Sequence, residues 1–397
     1  MMKSPVAQYA VITANYWAFT LTDGALRMLV ILYFHQLGFS PLNIALLFVL
    51  YELFGVITNL WGGWLGARIG LNITMQVGLA LQIIALAMLL VDTSLLTAFY
   101  VMVSQALSGV AKDLNKMSAK STIKTLISDN QQLYRWVALL TGSKNALKGV
   151  GFFLGGVLLA WIGFKGTIIS MVVMLTVTLL ASLCLLRKRI GSSQYKAKFT
   201  DVFSSNANIN YLSATRFFLF GSRDIWFAVA LPVFLQNQLG WNHTAVGTTL
   251  ALWIIAYGGI QVITPKLTRA IPPAQAKDRL QTWGLLLLAI TFTTAAALFT
   301  SFHIGITLLV GLFIFGGIFA VNSSIHSYLI VAHAREDGAS MDVGFYYMAN
   351  AAGRLSGILL SGLLYQYYGF TACLLASCAF IVATLVINRQ ITGITSY

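Results

Sequence analysis

The chain has 397 residues, 58% of them hydrophobic and 9% charged, with a formal net charge of +14 and a mean hydropathy of +0.80. Soluble domains carry about 25% charged residues, so this sequence cannot cover a water-facing surface and describes an integral membrane protein. The apolar runs are too long for porin-type strands of about ten residues, and no stretch between them could hold an ordinary soluble domain.

A hydrophobic crossing needs about 20 residues. The opening MMKSPVAQYA leads directly into an apolar run too long to be the core of a cleaved signal peptide. Taken in chain order, the runs predict twelve spans at roughly 8–36, 41–65, 73–91, 95–118, 134–163, 166–187, 208–238, 243–264, 281–301, 303–332, 342–366 and 370–388. Turns such as 37–40 and 239–242 are short, so consecutive spans form antiparallel hairpins.

Basic residues crowd the segments on one side of this stack. They include Lys120, Lys124, Arg187, Lys188, Arg189, Lys196 and Lys198, whereas Lys165 stands alone on the other side. Such segments collect on the cytoplasmic face, which predicts that both termini are cytoplasmic. Most of the net charge is thereby explained without a nucleic-acid partner. The longest polar stretch, RKRIGSSQYKAKFTDVFSSN at 187–206, marks a cytoplasmic linker, 188–207, between six-helix bundles at 1–187 and 208–397.

The two bundles repeat. A shift of 206 lays Lys148, Gly151, Gly156, Gly163 and Phe164 on Arg354, Gly357, Gly362, Gly369 and Phe370. A shift of 202 lays Gln36-Leu37-Gly38 on Gln238-Leu239-Gly240. Two pseudo-symmetric six-helix halves in one all-α membrane chain are the major facilitator fold, with its substrate site between the halves near the midplane. The glycines of spans five and eleven, among them Gly151, Gly155, Gly156, Gly353, Gly357 and Gly362, read as surfaces of close helix approach.

Charges inside the spans are costly, about 2.5–3.5 kcal/mol or more each, and usually face a polar cavity. Eight are basic (Arg27, Lys112, Lys116, Lys144, Lys148, Arg216, Arg223 and Arg354), and four are acidic (Asp23, Glu52, Asp113 and Asp224). They fall on helical faces with other polar groups: Tyr16, Thr20, Asp23 and Arg27 in span one, and Gln105, Ser108, Lys112 and Lys116 in span four. Span five adds Thr141, Lys144, Asn145 and Lys148; span seven adds Arg216, Phe220 and Arg223; span eleven adds Tyr346, Tyr347, Asn350 and Arg354. Asp23 with Arg27, and Arg223 with Asp224, are near enough in sequence to neutralise each other. Lys112, Lys116 and Arg216 lie near span ends, where snorkelling is the alternative to a cavity role.

The excess of buried cation points to a small, multiply charged anion, held bidentately by Arg and as a point charge by Lys. Lys144, Lys148 and Arg354, with no acid on their own helices, are expected at the centre, Lys148 and Arg354 facing each other. Arg27, Arg223, Lys112, Lys116, Asn145, Asn350 and Tyr347 complete the candidate binding set. Glu52, with no base within a turn of its own helix, suits a proton carrier or a neutral group hydrogen-bonded within the bundle. Asp23 and Asp224 are the lesser coupling candidates. His326, with Asn322 and Ser323, reads either as cavity lining or as a satisfied core histidine. Cys184, Cys373 and Cys378 read as small core hydrophobes with no metal or redox spacing. No metal-ligand cluster, nucleophile elbow or phosphate loop is present, so neither an enzyme nor a cofactor is expected.

The loop GGWLGARIGLN at 62–72 resembles the facilitator signature, with Gly66 at the usual acidic position. The strings NYWAFTLTDGALRMLV (15–30), SGVAKDLNKMSAK (108–120) and LTGSKNALKGVGFFLGG (140–156) closely resemble the ArsJ family of major facilitator permeases. That resemblance implies arsenate resistance through efflux of 1-arseno-3-phosphoglycerate across a bacterial inner membrane. It implies functional coupling to glyceraldehyde-3-phosphate dehydrogenase, which makes the ester from arsenate, without physical contact. A monomer in membrane lipid is expected. The alternative keeps the fold and changes the cargo to a phosphorylated metabolite or another organic anion, carried alone or by antiport.

Overall fold

The computed structural model describes residues 5–39, 47–126, 130–186, 206–241, 243–268, 275–299, 303–335 and 339–391. Within them lie eleven α-helices and no strand. In chain order these are α1 Pro5–Gln36, α2 Val49–Ile69, α3 Leu71–Met88, α4 Ala98–Leu126, α5 Asn130–Leu185 and α6 Ala207–Phe227. They continue with α7 Ala230–Asn237, α8 His243–Leu267, α9 Ala276–Phe299, α10 Ile304–His333 and α11 Ala339–Asn388. The expected linker at 188–207 falls almost wholly outside the described residues.

The helices depart from the expected spans in three places, each for a local reason. Spans five and six run through one helix, α5, broken at Gly163 with φ 70° and ψ −177°. Spans eleven and twelve share α11, broken at Gly369 with φ 80° and ψ −178°. Positive φ with extended ψ is open essentially to glycine and costs a residue with a Cβ about 1–3 kcal/mol, so each glycine fixes the sharp reversal. Conversely, span seven is divided into α6 and α7 around Val229. The Ala230 N–H, deprived of its helical acceptor, donates to Ser361 Oγ at 3.0 Å, as an apolar medium requires. Counting both arms of α5 and α11, and α6 with α7 as one crossing, gives the expected twelve.

Seven helices among the described residues are long and apolar enough to cross a membrane on composition alone. Helix α4 is too polar to be among them because of the groups it buries. Ser104, Gln105, Ser108, Asp113, Asn115, Lys116 and Lys120 are all shielded inside the protein. Lys120 therefore does not sit in a connecting segment, as its position beyond span four suggested; α4 runs two turns further, to Leu126. The outer faces carry Phe99, Phe153, Trp161, Val177, Phe292, Tyr367 and Tyr368, all strongly exposed, a surface that only hydrocarbon or the interface satisfies. Cys184 belongs to that exposed face, whereas Cys373 and Cys378 are buried.

Packing divides the chain into two compact units. One comprises Met1–Asp129, Ser143–Phe203 and Ala334–Met348, the other Asn130–Gly142, Ser204–His333 and Ala349–Tyr397. The first is built on Phe19, Leu26, Leu29, Phe34, Leu79, Leu86, Phe164 and Leu175. The second is built on Trp226, Trp253, Phe315, Phe319, Phe370 and Leu374.

The repeat seen in sequence recurs inside each unit as geometry. Gly38 and Gly240 both adopt positive φ, at 86° and 67°. Phe164 stacks on Tyr33 at 3.9 Å, and its counterpart Phe370 stacks on Phe234 at 4.6 Å. A Cβ on Gly24 would meet Lys148 O at 2.7 Å, and one on Gly151 would strike Leu21 O and lie 3.2 Å from Gly24 Cα. In the second unit a Cβ on Gly357 would meet Gly221 O and Asp224 Cβ, both at 2.9 Å, and one on Gly353 would strike Phe217 O. So α1 packs backbone to backbone on α5, as α6 does on α11. Gly156 and Gly362 depart from the expectation, since each has room for a methyl group.

Substituting Val for Gly151 or Gly357 is expected to destabilise the protein by about 1–3 kcal/mol through forced helix separation. Ala at Gly156 or Gly362 is expected to leave the thermal midpoint in detergent unchanged. Equal midpoints for all four variants would show that these contacts do not set the packing.

Candidate functional site

In the first unit, α1, α2, α4 and α5 bring seven charged side chains into one network. Arg27 Nη2 lies 3.2 Å from Glu52 Oε1. Lys112 Nζ lies 3.7 Å from Glu52 Oε2 and 3.6 Å from Asp113 Oδ2. Lys116 pairs with Asp113 one turn earlier on α4. Lys148 Nζ approaches Asp23 Oδ2 at 3.6 Å, and the Tyr51 hydroxyl donates to Asp23 Oδ1 at 2.5 Å. The glycine pattern permits this crowding, because a Cβ on Gly55 would come within 2.6 Å of Asp113 Oδ2.

Aromatic rings fill the gaps between charges. Lys112 Nζ stands 3.8 Å from the centre of the Tyr51 ring, and Arg27 Cζ stands 5.0 and 5.1 Å from the Phe48 and Tyr51 rings. Lys116 and Lys120 face the Tyr347 ring at 4.6 and 5.3 Å. Each such contact contributes about 0.5–2 kcal/mol, most where water is excluded. Lys144 and Asn145 are half-buried on α5, one turn before Lys148.

The second unit holds a smaller cluster on α6, α10 and α11. Asp224 takes Arg223 on Oδ1 at 2.6 Å and Arg354 on Oδ2 at 3.3 Å. Arg216 donates from Nε to Asn350 Oδ1 at 3.1 Å, and from Nη1 to Ser323 Oγ at 3.1 Å and Ser323 O at 3.3 Å. The Phe220 ring sits between two guanidiniums, 3.8 Å from Arg216 Cζ and 4.9 Å from Arg223 Cζ.

Several sequence-level pairings are corrected here. Arg27 pairs with Glu52 of α2 rather than with Asp23 of its own helix, and Asp23 turns to Lys148 of α5. Glu52 is thus no lone carboxylate, because Arg27 and Lys112 reach it from two other helices. Lys112 and Lys116 are bound to carboxylates rather than snorkelling. Arg216 is buried and tied to α10 and α11. Arg223 does pair with Asp224 as expected. His326 is fully buried, and neither ring nitrogen has a hydrogen-bond partner among the described residues. Tyr51 was missed, although it stands next to Glu52 in the sequence, and Phe220 and Ser323, placed on polar faces of their spans, were not recognised as partners of Arg216.

One regularity runs through both clusters. In every interior pair the cation is the more accessible partner. Basic side chains are 11–25% exposed and the carboxylates 1–7%. The accessible polar surface is therefore cationic, with its counter-charge recessed behind it. Four cations meet three carboxylates in the first unit, and three guanidiniums meet one carboxylate in the second, so each cluster keeps a positive excess. Among the described residues, no group of three His, Cys, Asp or Glu side chains could hold a metal ion.

A multi-pass helical protein with paired units and charged, recessed interior clusters is a membrane carrier. The chain belongs to the Major Facilitator Superfamily, whose sequence pattern matches residues 12–341 and again 212–389; it is a transporter and not an enzyme. Its fold is similar to that of the human organic anion transporter MFSD10 (TETRAN), with 15% identity over 98% of this chain and 100% of that one and a TM-score of 0.77. A bacterial homologue of the iron transporter ferroportin in its outward-facing state gives 13% identity over 96% and 98%, with a TM-score of 0.78. The E. coli fucose:proton symporter FucP gives 11% identity over 99% and 100%, with a TM-score of 0.75. A search of curated proteins finds no match to this sequence.

A double-variant cycle tests the Arg27–Glu52 pair. Glu52→Gln should destabilise by about 3–5 kcal/mol, because it strands the Arg27 guanidinium, and Arg27→Met should destabilise by less, because Lys112 still reaches Glu52. The double variant should fall short of the sum by about 1–3 kcal/mol. Strict additivity in chemical unfolding would mean that the pair is not formed in the membrane protein.

Proposed function

We propose that this transporter carries out secondary efflux of a small, multiply charged organic anion. The observation that carries this reading is the accessibility order of the ion pairs. A lining in which the accessible member of each ion pair is a Lys or Arg attracts phosphate-like and carboxylate groups and repels cations. Outward movement needs little further drive. Each negative charge leaving a cell that is 100 mV negative inside is favoured by about 2.3 kcal/mol.

The particular cargo proposed is 1-arseno-3-phosphoglycerate, on the strength of the resemblance. Its three strings lie on α1, α4 and α5, and they supply Asp23, Arg27, Lys112, Asp113, Lys116 and Lys148. All six meet in the first unit's network, and only Glu52 and Tyr51 come from elsewhere. The substrate's arsenate and phosphate ends match a lining rich in Lys and Arg. In this proposal Lys144, Lys148 and Arg354 bind one anionic group and Arg27, Arg223, Lys112 and Lys116 the other, with Asn145, Asn350 and Tyr347 lining the path. Protonation of Glu52 would release Arg27 and Lys112 together, which makes it the coupling candidate. The protein is proposed to work as a monomer in a bacterial inner membrane, with both termini cytoplasmic. Six-helix halves at 1–187 and 208–397 would flank the linker at 188–207. The enzyme that makes the ester, glyceraldehyde-3-phosphate dehydrogenase, acts upstream without contact.

Arsenic uptake into inside-out vesicles tests the cargo. Accumulation is expected only when arsenate is supplied with the dehydrogenase, its nicotinamide cofactor and glyceraldehyde 3-phosphate. Equal accumulation from arsenate alone would make the protein an oxyanion carrier. No accumulation in either case, with uptake of a labelled phosphorylated metabolite instead, would establish the alternative cargo. Lys148→Met and Arg354→Met should each lower uptake at least about tenfold while leaving expression intact. Normal flux in either would remove that residue from the path.

A further inference from the structure

The two units share one arrangement of acid and base. Asp23 spends its two oxygens differently: Oδ1 accepts from the Tyr51 hydroxyl at 2.5 Å, and Oδ2 faces Lys148 at 3.6 Å. Asp224 does the same, with Oδ1 held by Arg223 at 2.6 Å and Oδ2 facing Arg354 at 3.3 Å. Lys148 and Arg354 are equivalent residues of the repeat, and the carboxylates stand on the equivalent helices α1 and α6. In both units a glycine contact presses the acid's helix onto the base's helix, through Gly24 with Gly151 and through Gly221 with Gly357.

We infer that Asp23 and Asp224 are resting counter-ions. Each is anchored through Oδ1 and holds, through Oδ2, the cation that an incoming oxyanion takes over. The inference rests on the anion-transport reading of the same clusters and adds a role for the carboxylates other than proton transfer. An isolated buried Lys or Arg is costly in an apolar setting, so an empty carrier needs something to neutralise Lys148 and Arg354. A carboxylate tied down by its second oxygen does this and stays satisfied when its cation swings away. Asp23 then keeps the Tyr51 hydroxyl, and Asp224 keeps Arg223, which with five N–H donors can hold the carboxylate and still face the anion. The geometry permits the exchange, because the base of each pair is the member open to approach, at 19% and 24% exposure against 6% and 4% for the acids.

A pre-engaged cation weakens substrate affinity by the fraction of time for which it is free. Removing the competitor should tighten binding and slow release. The test is calorimetric titration of the purified full-length protein with 3-phosphoglycerate and with inorganic phosphate, comparing wild type with Asp23→Asn, Asp224→Asn, Asp23→Glu and Asp224→Glu. If the cation is free about a tenth of the time, each Asn variant should bind about tenfold more tightly. The Glu variants, which restore the competing charge, should return toward wild-type affinity.

Equal affinity in wild type and Asn variants would overturn the inference alone, leaving the anion carrier in place. Loss of binding in folded Asn variants would also overturn it, by making the carboxylates part of the substrate site. No oxyanion binding by any form would overturn both the inference and the transport reading beneath it. Should the Asn variants fail to fold, infrared difference spectra of wild-type protein with labelled Asp carboxylates answer the same question. A shift of the carboxylate bands on adding 3-phosphoglycerate supports the exchange, and unchanged bands overturn it.

Discussion

The cost of a charge in hydrocarbon governs this structure. The seven charged side chains of the first unit's network and the four of the second unit's cluster lie where lipid or packed helices surround them, and none is tolerable alone. Sharing solves the problem: Glu52 serves Arg27 and Lys112, Asp113 serves Lys112 and Lys116, and Asp224 serves Arg223 and Arg354. Such sharing requires helices close enough for side chains of different spans to meet. That is the physical reason for the glycines at Gly24, Gly55, Gly151, Gly221 and Gly357, whose missing side chains leave room for backbone or carboxylate.

The same scaffold serves two chemistries. Both units keep the turn glycines, the stacked aromatic pair behind them and the acid–base pair between α1 and α5 or α6 and α11. They also keep an asparagine, Asn115 or Asn322, against a glycine of the preceding helix, Gly78 or Gly284. Elsewhere they diverge. Where α4 carries Lys112, Asp113 and Lys116, α10 offers Phe319, Ser323 and the buried His326. The first unit therefore presents mostly ammonium groups over tyrosine rings, and the second presents guanidiniums around Phe220. Ammonium is a compact point charge and guanidinium a planar fork, so each unit presents its own kind of cationic surface.

Much was legible in the sequence because it depends on local chemistry. Apolar run length determined the twelve crossings, since one turn of helix covers a fixed depth of hydrocarbon. The repeat could be read because turn glycines such as Gly163 and Gly369 have no substitute at their backbone angles. Which residues carry charge inside the spans was equally plain, as was the excess of cation. Only the tertiary structure decided how those charges pair. Arg27 lies one turn from Asp23 in sequence yet joins Glu52, and Lys148 joins Asp23 across more than a hundred residues, because partners inside a bundle are set by interhelical distance and not by spacing along one helix. The recession of every carboxylate behind its cation is likewise invisible in composition. It depends on side-chain length and on the packing of four helices at once, and it leaves the cation as the accessible member of each pair.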